Sequence, residues 1–373
     1  MPSTYEAIVV GLGAMGSATL FHLARRGQQV LGLDQFAPPH TMGSSHGLTR
    51  IIREAYFEHP IYVPLLQRAY TLWRELEGGS GLSLFQQTGG LMLGAEDSLV
   101  VSGALRSARE HGLKHELLSA QEVRSRFPAL HPADEMFAVY EPRAGVLFPE
   151  RCITAHLEGA RRLGAKIPFN EPVVRWSPAG EEIRVVTSAG SYSARRLIVS
   201  AGAWVSHLFP NVPLPFQIER QLLFWFDAQE NQSLFTPDRC PIHIWQFDNS
   251  RFFYGFPDTG DGVKVARHHD GAVTSPETVC REVAPDEVED MRTVVRRFLP
   301  DADGPLRSST VCMYTNTPDG HFWIDRHPSH SQVFIVSPCS GHGFKFSAVI
   351  GEILAKLAND EETGLDLSLF RRR

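Results

Sequence analysis

The order of apolar and polar residues along this chain predicts its first elements directly. Residues 7–10, Ala-Ile-Val-Val, form an unbroken apolar run expected of a strand buried in a parallel sheet. Residues 14–26 predict a helix that stops at Gly27, the residue type favoured just past a helix C-terminus. A second apolar stretch, 29–33, predicts a neighbouring strand that delivers Asp34. Between the first strand and the helix lies Gly11-Leu12-Gly13-Ala14-Met15-Gly16, a G-x-G-x-x-G turn. Gly11 permits the tight turn, Gly13 lets a pyrophosphate approach the backbone, and Gly16 lets the helix pack on the strand. The free N–H groups and positive end of the helix suit a phosphate. Asp34 is placed to accept a hydrogen bond from a ribose 2′-hydroxyl and disfavours a 2′-phosphate. The ligand expected is FAD or NAD rather than NADP, and the motif alone leaves both open.

Further along, Tyr62, Leu65, Leu66, Ala69, Leu72, Trp73 and Leu76 share one helical face, with Gly78-Gly79 as the expected stop. Residues 84–93 are strand-like, 99–111 helical, and Ser119-x-x-Glu122 is a capping box. A helix over 150–163 is followed by strands at 173–176, 183–187 and near Tyr192, then Leu197-Ile198-Val199 leading into Gly202 and Trp204. Residues 215–307 are aromatic and alternating, as in Leu222-Leu223-Phe224-Trp225-Phe226, which predicts a mixed or antiparallel sheet. The chain returns with a strand at 333–336, the turn Ser340-Gly341-His342-Gly343 and a last helix over 345–358.

Composition changes the picture mainly by exclusion. The chain has 373 residues, enough for two domains, and its net charge of -6 with no basic run argues against a nucleic-acid partner. No apolar run approaches membrane-spanning length, and the N-terminus lacks a signal peptide's basic start. Five scattered cysteines show neither metal-ligand spacing nor a disulfide framework, so no metal site is expected and the setting expected is reducing and cytoplasmic.

Four stations carry candidate chemistry. His46, Arg50 and Arg53 follow the second strand; two arginines three apart suit a carboxylate or flavin carbonyls, or simply a solvated helix start. Tyr254, Lys264 and His268 lie in the aromatic region, and Lys264 between two valines reads either as a site lysine or as an exposed strand lysine. Cys312 stands among apolar neighbours, where a cysteine is commonly a small core residue. Gly341-His342-Gly343-Phe344-Lys345 can aim N–H groups and a helix dipole at an electron-rich ring, or serve only as a strand-to-helix turn.

Together these stations resemble the monomeric sarcosine oxidase and N-methyltryptophan oxidase family, flavoenzymes that oxidise the C–N bond of secondary amino acids. The stretches that carry the resemblance are PPHTMGSSHGLTRIIREAY, YGFP at Tyr254, VCMYTNTPDGHFWID and SGHGFKFSAVIGE. They span nearly the whole length. The resemblance implies FAD bound covalently, with Cys312 joined to the flavin 8α-methyl; a thiolate can add to an electrophilic form of the ring. It assigns the substrate carboxylate to Arg53 and Lys345. It sets Arg50 and Lys264 against the flavin, where Lys264 activates oxygen through charge aimed at forming superoxide. Tyr254 and His268 would border the amine, and His46 would lie beside the ring. Cofactor contacts are implied for Gly11, Gly13, Ala14, Met15, Gly16 and Asp34; for Ser44, His46, Thr49 and Arg50; for Gly202 and Trp204; and for Gly341, Gly343, Phe344 and Lys345.

The chain departs from the family's usual His-His-Gly-Asp-Thr-Arg with Ser45-His46-Gly47-Leu48-Thr49-Arg50. Trp245 is expected as a wall of the substrate pocket, stacking on a ring or restricting the space, and together with Ser45-His46-Gly47 it tilts the expected substrate towards cyclic or aromatic amino acids. The resulting expectation is an α/β (α+β overall) monomer with a Rossmann-like FAD domain (1–86, 145–214 and 308–373) and an antiparallel-sheet substrate domain (87–144 and 215–307). It oxidises a secondary amino acid to an imine with dioxygen, giving hydrogen peroxide. The alternatives are N-methyltryptophan- or L-pipecolate-type specificity, a dehydrogenase passing electrons to a carrier, or a dinucleotide-binding protein without catalysis.

Overall fold

The computed structural model describes residues 4–248 and 251–371, so the outermost residues of the two terminal cofactor-domain segments lie outside the described residues. A seven-stranded sheet is centred on Thr4–Val10, which pairs in parallel with Val30–Leu33 on one side and Ser191–Val199 on the other. His330–Ser337 extends it in parallel, and Trp323–His327 closes that edge antiparallel. The strands at 173–179 and 182–187 form the meander that leads into Ser191–Val199. Helices Ala14–Arg25, Tyr62–Ser80, Pro149–Arg162 and Ser347–Ala358 share one core with this sheet, because their apolar residues cannot be covered within each helix alone.

A nine-stranded sheet forms the second half. Gln217–Phe226, Val263–His268, Arg251–Phe256 and Ile242–Phe247 follow one another antiparallel, and Ile242–Phe247 then pairs in parallel with Gly90–Ala95. Pro285–Phe298 packs on the far face of this sheet, in a core with Trp245, Phe253 and Phe226. The aromatic alternation of this region did not predict that helix. Its start is local chemistry nonetheless: Pro285 opens it, and Glu287 accepts the Ala284 N–H at 2.9 Å.

Three expectations shift. The helix from Tyr62 runs through Gly78-Gly79 to Ser80, and Glu77 reaches beyond it to accept the Leu84 and Phe85 N–H groups. The strand-like stretch 84–93 divides into Phe85–Gln87 and Gly90–Ala95, which join different sheets. Residues 308–316, grouped with the cofactor domain from sequence, belong to Leu306–Asn316, a strand hydrogen-bonded along its length to Gln217–Phe226 in the nine-stranded sheet. The Ser119–Glu122 capping box is present, with both reciprocal bonds, at the start of Ala120–Arg126.

Candidate active site

One cavity runs between the two sheets, from the Gly11 turn past Arg50 and Cys312 to Arg53 and Lys345. At its nucleotide end the glycines are sterically required. Gly11 sits at φ +84°, where a Cβ would lie 2.6 Å from the Ser200 carbonyl oxygen, and a Cβ on Gly16 would lie 1.7 Å from the Gly11 carbonyl oxygen. Gly16 therefore packs the helix on the turn, whereas Gly13, Ala14 and Met15 line the cavity. The helix has no side-chain cap at Gly13, which leaves its first-turn donors for an anion; among the described residues only Ala14 N–H meets a side chain, Ser45 Oγ at 3.3 Å. Asp34 is buried on the cavity wall and accepts the Leu12 and Phe36 N–H groups at 2.7 and 2.8 Å. Burial pushes its carboxyl up, and those two bonds oppose the rise. Gly202 and Trp204 line the same end. An uncapped helix start, a sterically closed glycine turn and an acid on the second strand fit a dinucleotide.

The middle of the cavity is cationic. Arg50, on the strand Arg50–Ile52, donates to the Ser44 and Thr49 carbonyls at 2.8 Å each, and its Nη2 lies 4.0 Å from Cys312 Sγ. Cys312 also points at the Ser44 carbonyl, 3.6 Å away. Lys264 is 1% exposed and lies behind Arg50. Its Nζ donates to the Gly47 carbonyl at 2.6 Å, the Thr49 carbonyl at 3.0 Å and Thr49 Oγ1 at 3.2 Å. The Trp225 and Phe256 rings flank it at 5.2 and 4.8 Å. Burial, and Arg50 beside it, pull the Lys264 ammonium well below the ordinary lysine range, while Glu150 acts in the opposite direction. Glu150, at the head of Pro149–Arg162, accepts the Gly47 and Leu48 N–H groups at 2.8 and 3.1 Å and so holds the loop on which Lys264 rests. His46 is buried with no partner for Nε2 among the described residues, as is Ser44 Oγ; burial holds the imidazole neutral, its pKa lowered to about 3.

At the far end Arg53 and Lys345 are both buried and lie around the Tyr56 ring, at 4.2 and 5.3 Å. Sequence reasoning treated them as two cations awaiting a substrate anion. The structure supplies one: Glu58 accepts two bonds from Arg53 Nη2, at 2.9 and 2.7 Å. Arg53 and Lys345 hold the Glu58 carboxyl below its usual range against the opposing effect of burial. Lys345 Nζ donates to the His342 carbonyl at 2.7 Å, and burial with Arg53 nearby lowers its pKa to about 7. His342 bridges the Gly320 carbonyl (2.9 Å from Nε2) and the Tyr56 hydroxyl (2.5 Å from Nδ1). A proton on Nε2 would give both bonds, with Tyr56 donating. Tyr254 and His268 face the cavity, and Tyr314 bonds His268 Nδ1 at 3.1 Å. Gly341, at φ +75°, brings the last turn against both rings: a Cβ there would lie 2.6 Å from Tyr314 Cε2 and 2.7 Å from His268 Cε1. Gly343 and Phe344 continue this wall.

Trp245 is a correction. It is fully buried on the opposite face of its strand, stacked on Phe253 at 5.3 Å and tilted on Phe298 at 4.9 Å, with Nε1 donating to His243 at 2.7 Å. Successive strand residues face opposite sides, so Ile244 and its partner Tyr254 take the cavity and Trp245 takes the core. Of the wall expected from Trp245 and the aromatic run ending at Tyr254, only Tyr254 therefore lines the cavity. Trp245→Ala should cost about 3–5 kcal/mol of stability in denaturant unfolding while leaving the KM for substrate within about twofold.

Sequence reasoning missed Glu58, Tyr314, Glu150 and Ile244. Tyr314 had a signal, being two residues from Cys312 on an alternating strand. Glu58 and Glu150 had none, since nothing local distinguishes them from surface acids.

A parallel sheet with a dinucleotide turn, joined over one cation-lined cavity to a largely antiparallel sheet, defines a two-sheet redox enzyme built around a nucleotide cofactor. The chain belongs to the FAD-dependent oxidoreductase family, whose pattern matches residues 6–357. The monomeric sarcosine oxidase of Streptomyces avermitilis is 46% identical over 100% of this chain and 98% of its own length. An N-methyl-L-tryptophan oxidase of Yersinia pestis is 35% identical over 98% of each. The solved structure of NikD, an unusual amino acid oxidase essential for nikkomycin biosynthesis, has a TM-score of 0.86 at 22% identity, covering 100% of this chain and 98% of that one, and so shares the fold. Among the described residues no helix is long and apolar enough to cross a membrane.

Proposed function

We propose that this protein oxidises N-methyl amino acids of sarcosine size, with dioxygen as the electron acceptor. The carrying observation is the order of groups along one cavity: nucleotide turn, then Cys312 with Arg50, backed by the buried Lys264, then Arg53 with Lys345. FAD, when bound, takes two electrons from the substrate C–N bond and passes them to oxygen as hydrogen peroxide. The resulting C=N bond is hydrolysed by water to formaldehyde and the primary amine. Arg53 and Lys345 hold the substrate carboxylate, with Arg53 sharing or releasing Glu58 as it binds. Tyr254, His268 and Ile244 enclose the amine and its substituent. Cys312 anchors the cofactor covalently. The names of the curated relatives support this substrate class, and the Streptomyces relative's name supports a single working chain. Trp245, placed in the core, gives no support to a cyclic substrate.

The test is peroxide release with sarcosine, N-methyltryptophan, L-pipecolate and L-proline, compared by kcat/KM. Sarcosine should lead, and simple amines without a carboxylate should fail. Arg53→Ala should raise KM for every active substrate by about a hundredfold, the loss of a charge-assisted pair in a buried site. Unchanged binding across the panel would move the carboxylate clamp elsewhere.

A further inference from the structure

The clamp leaves one buried carboxylate unexplained. Glu141 ends the strand Met136–Glu141, is 1% exposed and does not line the cavity. Its Oε1 accepts the Glu54 N–H at 2.8 Å, and its Oε2 accepts the Ala55 N–H at 2.7 Å and the Glu54 N–H at 3.0 Å. The carbonyl of Ala55 accepts Arg53 Nη1 at 3.0 Å. Residues 53–58 belong to no helix or strand, so this turn lacks ladder hydrogen bonds and needs other anchors. The connection is short: a carboxylate from the nine-stranded sheet, the N–H and carbonyl of one residue, Ala55, then the guanidinium.

We infer that Glu141 is a positioning residue for the substrate carboxylate clamp, setting the direction of the Arg53 guanidinium through the backbone of Ala55. The inference rests on the clamp reading above. It accounts for a costly arrangement. Burial, with the Glu54 carboxylate nearby, pushes the Glu141 acid up to about 7 despite the two N–H bonds that oppose the rise. Glu54 is itself buried and pairs with Arg143 at 3.2 Å, so Arg143 spends its charge on Glu54. An apolar side chain at 141 would avoid the charge but orphan two backbone donors beside the arginine. The carboxylate, an acceptor at both oxygens, meets both N–H groups and turns no donor towards them.

The experiment measures KM and kcat for sarcosine, the Ki of acetate as a carboxylate without an amine, and Tm, in the holoenzyme. Glu141→Gln keeps the shape and one acceptor oxygen but turns an NH2 towards a backbone N–H. It should raise the sarcosine KM and the acetate Ki together by about tenfold, with kcat within about twofold. Glu77→Gln is the control. Its carboxylate also accepts two consecutive backbone N–H groups, from Leu84 and Phe85, but no bond leads from it to Arg53. It should lower Tm without moving either constant. If Glu141→Gln does not fold, Ala55→Gly carries the test, since it loosens the backbone of that residue while keeping its N–H and carbonyl. The inference is overturned if the folded variant keeps its KM and Ki, if kcat falls instead, or if the Glu77 control moves both constants equally. Arg53→Ala separates the two levels. No change there sinks the clamp itself; a large change with a silent Glu141→Gln sinks only the positioning role.

Discussion

Lys264→Met is expected to slow reaction of the reduced enzyme with oxygen by about a thousandfold, equivalent to about 4 kcal/mol of lost stabilisation. Anaerobic reduction by sarcosine should change far less. The reason lies in the surroundings of Nζ. Gly47 O, Thr49 O and Thr49 Oγ1 offer three acceptors, matching the three protons of an ammonium. A neutral amine would set its lone pair against one of them. The charge is thus held rigidly in a buried site, and on the proposed reading it would stabilise negative charge developing on oxygen without solvent reorganisation. Burial and Arg50 lower the affinity of Lys264 for its proton. The sign of the pH effect follows. The ammonium is present at low pH and is lost as pH rises, so the oxygen step should fall on the alkaline side, earlier than an ordinary lysine would dictate. The methionine variant should lose that pH dependence. Stopped-flow traces of the two half-reactions decide the matter, and equal losses in both would give Lys264 another role.

Cys312→Ala should convert the flavin from one that stays with acid-precipitated protein to one found wholly in the supernatant. Cys312 is buried on the cavity wall, within reach of the Ser44 carbonyl and Arg50 and on the same face of its strand as Tyr314. Cys339 also lines the cavity, and burial pushes its thiol up, which leaves it less thiolate with which to react. Cys339→Ala should therefore retain the flavin. Absorbance of the pellet and supernatant after precipitation reads both results, and free FAD from the unaltered protein would remove Cys312 from this role. Loss of the tether should leave the Gly11–Gly16 turn and Asp34 to hold the dinucleotide noncovalently.

The nucleotide end of the site was legible in the first 34 residues because everything it needs is local. A strand, a turn and a helix start adjoin in the chain, and the positive φ at Gly11 and the contact of Gly16 with the Gly11 carbonyl are local, although the Ser200 carbonyl that closes on Gly11 comes from far along the chain. The cations stood out as candidates, the resemblance gave them roles, and the structure brings Arg50, Arg53, Lys345 and Cys312 to one cavity. Other relations were beyond any local pattern. Lys264 meets Gly47 across 217 residues, Glu141 meets Glu54 across 87, and the strand bearing Cys312 pairs with Gln217–Phe226 rather than with the cofactor sheet. Alternation on Ile242–Phe247 showed that Trp245 and Ile244 face opposite sides, but not which side is the cavity. Both faces of that strand are covered, one by Pro285–Phe298 and the other by the site, so both are apolar and sequence alone cannot tell them apart. Helix packing and sheet register make that choice, and with it they decide which residues can touch a substrate.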